Sequence, residues 1–371
     1  MILVNKYIKM GAEQSTETKE SIGNNIKENT LKTENFGTKK QTIKENIVVN
    51  ITYSLNKNLL INNQSIKLFE ENFVKNNKNK FKMLIAGEEF EIKSRIKVEE
   101  LKKIGFNGKD EIFKVVLKGE ELKDTSFMFY ECKSLIEVEF SLFTSQNLKN
   151  MSRMFSLCEN LIKVDLSTCN TQNVTDMNGM FNGCKSLIQV DLSSFDTKNV
   201  TDMSNMFDGC ESLIQVDLTS FNTENVKNMS NMFKNCIKLI KADLSSFNTK
   251  NVTNMNGMFY GCKSLIKADL SSFNTENAKD LSSMFENCES LIKADLSSFN
   301  TENAKDLSRM FDDCEKLIKV DLLSFRIKNV TNVEYIFYGC RNILKTKRES
   351  CYSIKNNNLE FNKIQLNLIE V

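Results

Sequence analysis

Apolar and polar residues follow one fixed order that recurs every 26 residues along the C-terminal two thirds of the chain. Residues 188–192 read Ile-Gln-Val-Asp-Leu, and this period of two predicts a half-buried β-strand with its apolar side chains inward. Residues 206–213 carry apolar residues three and four apart, which predicts one or two helical turns on the opposite wall. Residues 199–203, between the two, are expected to form a second, shorter extended segment.

Cysteine marks the same period in consecutive units. The residues are Cys132, Cys158, Cys184, Cys210, Cys236, Cys262, Cys288, Cys314 and Cys340. Such a period means that one supersecondary unit stacks on copies of itself, because no unit can bury its apolar face alone. We therefore expect a leucine-rich-repeat-like solenoid, with a strand and a short helical turn per coil, of about eight repeats over residues 125–344.

The cysteine column is expected to be reduced and buried as small apolar side chains. Equivalent residues of neighbouring coils lie about 4.8 Å apart with parallel Cβ vectors, whereas a disulfide needs converging Cβ atoms about 3.8 Å apart. The Met and Phe columns around Met206 and Phe207 are expected in the core. An asparagine column that includes Asn199 is expected to face inward, where its amides would satisfy turn backbone.

The residues before and after the predicted solenoid lack the 26-residue repeat. Residues 1–46 are polar and are expected to form a disordered tail, and residues 345–371 a C-terminal cap or tail. Residues 47–124 are expected to form a small α+β N-terminal cap that covers the first coil. Its predicted elements are a strand at 47–53, a helix at 65–76, a hairpin of 81–85 with 90–92, a helix at 98–104 and a strand at 112–117.

Composition narrows the function. The 50 basic and 48 acidic residues are interleaved, which argues against nucleic-acid binding. No apolar run is long enough for a transmembrane segment. The chain has no histidine, so imidazole acid–base catalysis is excluded, and no motif predicts a catalytic residue, a cofactor or a metal site. We expect a protein that is not an enzyme.

The candidate binding surface consists of two rows of side chains that the strand pattern turns outward. The first row is Lys163, Gln189, Gln215, Lys241, Lys267, Lys293 and Lys319. The second row is Asp165, Asp191, Asp217, Asp243, Asp269, Asp295 and Asp321. Stacked carboxylates repel one another unless the lysines or the Ser and Thr hydroxyls two and three residues on relieve them. A solvated face, a protein-binding face and calcium along the Asp row all stay open at this point.

The repeat resembles the leucine-rich repeats of the BspA-like surface-protein superfamily, and in particular its long DUF285 repeat. The similarity rests on residues 187–210, which read Leu-Ile-Gln-Val-Asp-Leu-Ser-Ser-Phe-Asp-Thr-Lys-Asn-Val-Thr-Asp-Met-Ser-Asn-Met-Phe-Asp-Gly-Cys. It implies binding through a repeated surface, with cell-surface adhesion as an alternative. We expect a scaffold that binds a protein partner through the outward face of the solenoid sheet.

Two features of the N-terminal residues bear on location. No secretory signal is evident near Met1, and with free thiols this favours the cytoplasm, with the cell surface as the alternative. Residues 10–15, Met-Gly-Ala-Glu-Gln-Ser, match a myristoylation pattern that acts if translation starts at Met10. Gly11 would then carry one acyl chain, which gives reversible membrane attachment.

Overall fold

The structure is a computed structural model of the chain. It describes residues 47–55, 64–106, 112–143, 145–320, 322, 324–326 and 328–346, and the strands at 353–355 and 358–360. The expected N-terminal tail, Gly11 and Asp321 lie outside the described residues, as does most of the expected C-terminal cap or tail.

The residues before the array form a small mixed α+β unit. Its elements are β1 (Ile47–Ser54), β2 (Ser65–Lys67), α1 (Glu71–Asn77), β3 (Phe81–Ile85), β4 (Glu88–Glu91), β5 (Arg95–Lys97), α2 (Val98–Lys103) and β6 (Ile112–Gly119). The predicted first and last strands are confirmed as β1 and β6, which pair antiparallel with Ile51 opposite Val115. Alternate residues of both strands are buried, as the period-two pattern requires.

The hairpin and the second helix of this unit are also confirmed, although the second hairpin strand begins at Glu88, two residues earlier than expected. Strands β3 and β4 pair antiparallel across Ala86 and Gly87, which both have positive φ, 52° and 88°. Two such residues are what a tight two-residue hairpin turn needs. Helix α2 ends before Gly105, whose φ is 100°.

The helix predicted at 65–76 begins later than expected. Residues 65–67 form β2, which pairs with β5 and places Ile66 opposite Ile96. Helix α1 is capped by Glu70, whose carboxylate accepts the backbone N–H groups of Asn72 and Phe73. The predicted start of this helix at Ser65 is therefore wrong, because strand pairing of these residues outweighs local helix signals.

One sheet joins this unit to the solenoid. Its strand order is β4-β3-β6-β1-β7-β8-β9, with β7 at Leu135–Phe143. Strand β7 is antiparallel to β1 on one side and parallel to β8 on the other. The first coil therefore has its sheet edge covered, as the end of a solenoid requires.

The coils stack in parallel with identical register. Their strands are β8 (Lys163–Asp165), β9 (Gln189–Asp191), β10 (Gln215–Asp217), β11 (Lys241–Asp243), β12 (Lys267–Asp269), β13 (Lys293–Asp295) and β14 (Lys319–Val320). Lys267 pairs with Lys293, for example, and Ala268 with Ala294. The expected second extended segment is confirmed as a column of parallel bridges that runs from Asp124 to Asn332.

The wall that was expected to hold helical turns consists of tight turns bonded between coils. In one coil Asn205 and Gly209 have positive φ, 55° and 73°, which a right-handed helix cannot accommodate. The backbone N–H of Phe207 donates to the carbonyl of Met232 in the next coil at 2.9 Å. Hydrogen bonds thus cross between coils on this wall as well, so the solenoid is a β-solenoid.

The core is a set of continuous columns. Met206, Phe207 and Cys210 are fully buried, as are the equivalent residues of most other coils. The rings of Phe181 and Phe207 stack with centroids 5.6 Å apart and planes 7° apart. All the described cysteines are free and buried, so the expected packing of the cysteine column is confirmed.

Helix α3 (Arg341–Thr346) follows the last described coil, and β15 (Ser353–Lys355) pairs antiparallel with β16 (Asn358–Glu360). Within the described ranges, no helix has the length and apolarity that a membrane crossing needs.

Candidate functional site

The two predicted rows lie on the outer surface of the solenoid sheet. We call this surface the striped face and define it by Lys163 to Lys293 in the first row and Asp165 to Asp295 in the second. First-row side chains are exposed, while the intervening Val190, or Ala268 in later coils, points into the core. Lys319 lies in β14 at the equivalent register, opposite Lys293.

The Asp row helps to hold the turn that follows each strand. One carboxylate oxygen of Asp191 accepts the backbone N–H of Ser193 at 2.9 Å, and Asp269 does the same for Ser271. In later coils the serine hydroxyl donates as well, at 2.7 Å from Ser297 to Asp295. This hydroxyl, followed by the backbone N–H, lowers the pKa of Asp295 below its usual value. The predicted contact of the carboxylate with a hydroxyl is therefore present two residues on, whereas the hydroxyl three residues on, such as Ser298, donates to the carbonyl of Leu270 instead.

The lysine row is less fully engaged than the Asp row. The Lys163 ammonium lies 3.3 Å from Glu137, and that of Lys241 lies 3.4 Å from Asp243. For Lys267 and Lys293 no ion pair occurs with the residues that the structure describes. Exposed pairs of this kind contribute little to stability. Lys267 and Lys293 are thus available to a partner.

A row of isoleucines beside the lysine row was missed by the sequence reasoning. We call it the isoleucine row: Ile162, Ile188, Ile214, Ile240, Ile266, Ile292 and Ile318. We expected Ile188 and its equivalents to point inward, which is wrong. Each strand spans only the three residues that follow, and the buried position is taken by the preceding leucine, such as Leu239. As a result Ile240 is 50% exposed and Ile266 is 43% exposed.

A groove of about 490 Å3 follows the middle of the striped face. Its polar lining residues are Gln189, Asp191, Ser193, Gln215, Asp217, Lys241 and Asp243. The groove places amide, carboxylate and ammonium groups side by side on a rigid sheet. Such an arrangement suits the side chains of another protein, because it offers donors and acceptors at fixed spacing.

The asparagine column lies outside the core, contrary to expectation. Asn199 is exposed, because Val200 takes the inward position next to it. Its amide nevertheless donates to the carbonyl of Gln172 in the preceding coil at 2.7 Å, and Asn251 does the same to Glu224. The predicted satisfaction of turn backbone by these amides is present, but the bonds run along the surface.

Taken with the fold, the striped face defines a β-solenoid repeat protein with a 26-residue coil. Residues 123–241 and 236–350 match the family described as "Mycoplasma protein of unknown function, DUF285". These matches span more than half of the chain, and the chain belongs to this family. The comparison with curated proteins found no match.

Proposed function

We propose that this protein is a non-enzymatic scaffold that binds a protein partner through the striped face. The observation that supports it is the regular, rigid display of exposed lysines that are not committed to internal ion pairs, with Lys267 and Lys293 as the clearest cases. Rigid surfaces lose little conformational entropy on binding, which favours association. The absence of histidine from the sequence supports a role other than catalysis.

Cross-linking in the source cells tests this proposal. An amine-reactive cross-linker followed by mass spectrometry should give heterotypic cross-links concentrated at Lys241, Lys267 and Lys293. The matched controls are Lys227 and Lys279, which are also exposed but lie in the second extended segment. If the controls were linked to a partner and the striped face were not, the binding surface would have to be placed elsewhere.

A second candidate is a cell-surface adhesin, which the resemblance to BspA-like proteins supports. We propose it as the alternative, with cytoplasmic residence and an acylated Gly11 as the first reading of location. Protease treatment of living cells distinguishes the two: an adhesin is degraded in intact cells, whereas a cytoplasmic scaffold is protected until the cells are lysed. Mass spectrometry of the mature N-terminus identifies any acyl chain on Gly11.

A further inference from the structure

The middle of the isoleucine row, Ile214 to Ile266, forms an apolar stripe on the surface. Ile214, Ile240 and Ile266 are 44%, 50% and 43% exposed. The backbone N–H of Ile240 donates to the carbonyl of Ile214 at 2.9 Å, so consecutive isoleucines are separated by one coil, about 4.8 Å. Single exposed apolar residues are common on proteins, but contiguous apolar stripes mark interaction sites.

The core does not account for this stripe. In each coil the neighbouring leucine, Leu239 or Leu265, is already buried and fills the core position. A polar residue at the half-exposed isoleucine position would cost the core little. The side chain is therefore better explained by contact with something outside the described residues.

The charge beside the stripe is not uniform along the solenoid. The first row begins with Lys163 paired to Glu137 and continues through the neutral Gln189 and Gln215. It is basic from Lys241 onward. We call Lys241, Lys267 and Lys293, together with Ile240 and Ile266, the basic half of the striped face.

Within the basic half the lysines lie between the isoleucines and the aspartates. One carboxylate oxygen of Asp269 is held by its own loop, where it accepts the backbone N–H and the hydroxyl of Ser271. A segment lying on the isoleucines therefore meets ammonium groups first. Lys267 and Lys293, without an acidic partner in the described part of the chain, are the groups that it would neutralise.

We propose that the basic half binds an acidic segment of a partner protein that also carries apolar side chains. Its carboxylates pair with Lys267 and Lys293, and its apolar residues pack on Ile240 and Ile266. An anionic membrane fits less well, because lipid headgroups need a cluster of several uncompensated basic residues, whereas a peptide can place single carboxylates against Lys267 and Lys293. This inference rests on the proposed function and specifies its partner.

The test uses a displayed library of random short peptides, selected on the immobilised full-length protein. We expect selected peptides rich in Asp or Glu and in aliphatic or aromatic residues. Their binding should weaken by roughly tenfold or more in the Lys241→Glu/Lys267→Glu/Lys293→Glu variant and in Ile240→Ser/Ile266→Ser. The control Lys227→Glu/Lys279→Glu makes the same charge reversal on exposed lysines of the second extended segment and should keep binding within about twofold.

Each other outcome is informative. Selected peptides that lack acidic residues but still lose binding in the lysine variant would overturn the inferred partner chemistry and leave the proposed function standing. Peptides insensitive to every variant of the face would overturn both. If no peptide binds but vesicles containing phosphatidylserine bind with the same dependence on the lysines, the partner is an anionic membrane and not a protein segment. Circular dichroism verifies that each variant folds. If the Glu variant unfolds, the binding test uses Lys→Gln at the same three positions instead.

Discussion

The thiol of Cys210 donates to the backbone carbonyl oxygen of Phe181 in the preceding coil, 3.2 Å away. The same carbonyl accepts the backbone N–H of Cys184 at 3.1 Å. The relationship recurs along the column, as between Cys236 and Phe207 at 3.1 Å. Each cysteine is therefore a hydrogen-bond donor between coils as well as a small core side chain.

Replacement of Cys236 separates these two roles. Cys236→Ala removes the donor and leaves a small cavity, and we expect a loss of about 1 to 3 kcal/mol in unfolding free energy. Cys236→Ser keeps a donor near the carbonyl of Phe207 and should lose less. Chemical denaturation measures both. A serine variant less stable than the alanine variant would mean that the cysteine acts only as apolar filling.

The buried thiols predict sensitivity to alkaline pH. Burial raises the pKa of Cys236 and Cys262 well above the usual value. A raised pKa in the folded state contributes stability that is fully present below the unfolded pKa of about 8.5 and is lost as pH rises above it. Unfolding free energy should therefore fall between neutral pH and about pH 9.5. The unfolding free energy of Cys236→Ala should fall less steeply with rising pH. An unfolding free energy that does not change with pH in the unaltered protein would contradict the expected effect of the buried thiols.

The aromatic column carries much of the stability of each coil. Phe233 is fully buried and stacks between Phe207 and Phe259, with centroids 5.5 Å away on each side. Phe233→Ala should cost about 3 to 5 kcal/mol and reduce hydrogen-exchange protection in the neighbouring coils first. The exposed Glu224→Ala is the control. Loss of protection confined to residues 47–124 would place this phenylalanine outside the solenoid core.

Much of the fold could be predicted because the repeat supplies the same signal in every coil. The period fixed by Cys184 and Cys210 predicts parallel stacking in register, and the apolar columns predict the core. The hairpin around Gly87 was predictable too, since its strands alternate clearly and its turn contains glycine. These are features that local pattern and repetition determine together.

The errors have physical causes of two kinds. The period of two in residues 188–192 predicts Ile188 inward, but the strand spans only Gln189–Asp191 and Leu187 already fills the inward position. The turn wall was assigned as helical because apolar spacing does not reveal the positive φ of Asn205 and Gly209. The candidate site is predictable in part: its charged rows follow from strand alternation, but the isoleucine row depends on the residue at which each strand begins.

The surface amides should contribute measurably to stacking. The Asn251 amide donates to the carbonyl of Glu224 at 2.7 Å. Asn251→Asp replaces the donor by an acceptor facing that carbonyl, so we expect a loss of about 1 kcal/mol at neutral pH. The neighbouring exposed Lys250→Ala is the control and should change stability little. Equal stability of the Asp variant and the unaltered protein would show that the bond adds nothing.

The pKa of Asp295 tests whether hydrogen bonds from the following turn stabilise the charged carboxylates of the Asp row. Its carboxylate accepts the Ser297 hydroxyl at 2.7 Å and the Ser297 backbone N–H at 3.1 Å, and the hydroxyl lowers the pKa most. A lowered folded pKa contributes stability that is present above the unfolded value of about 3.9 and is lost as pH falls through the folded pKa. Ser297→Ala should therefore raise the pKa of Asp295 towards its ordinary value. The variant should then lose less unfolding free energy to the protonation of Asp295 as pH falls.

The adjacent Ser298 supplies a matched control for that titration. Its hydroxyl donates to the carbonyl of Leu270 in the preceding coil at 3.0 Å and not to Asp295. Ser298→Ala removes the same group one residue away, so the pKa of Asp295, followed by the NMR shift of its carboxyl carbon, should stay where it is in the unaltered protein. If the pKa of Asp295 rose as much in Ser298→Ala as in Ser297→Ala, the pKa would be set by the coil as a whole and not by the serine two residues on.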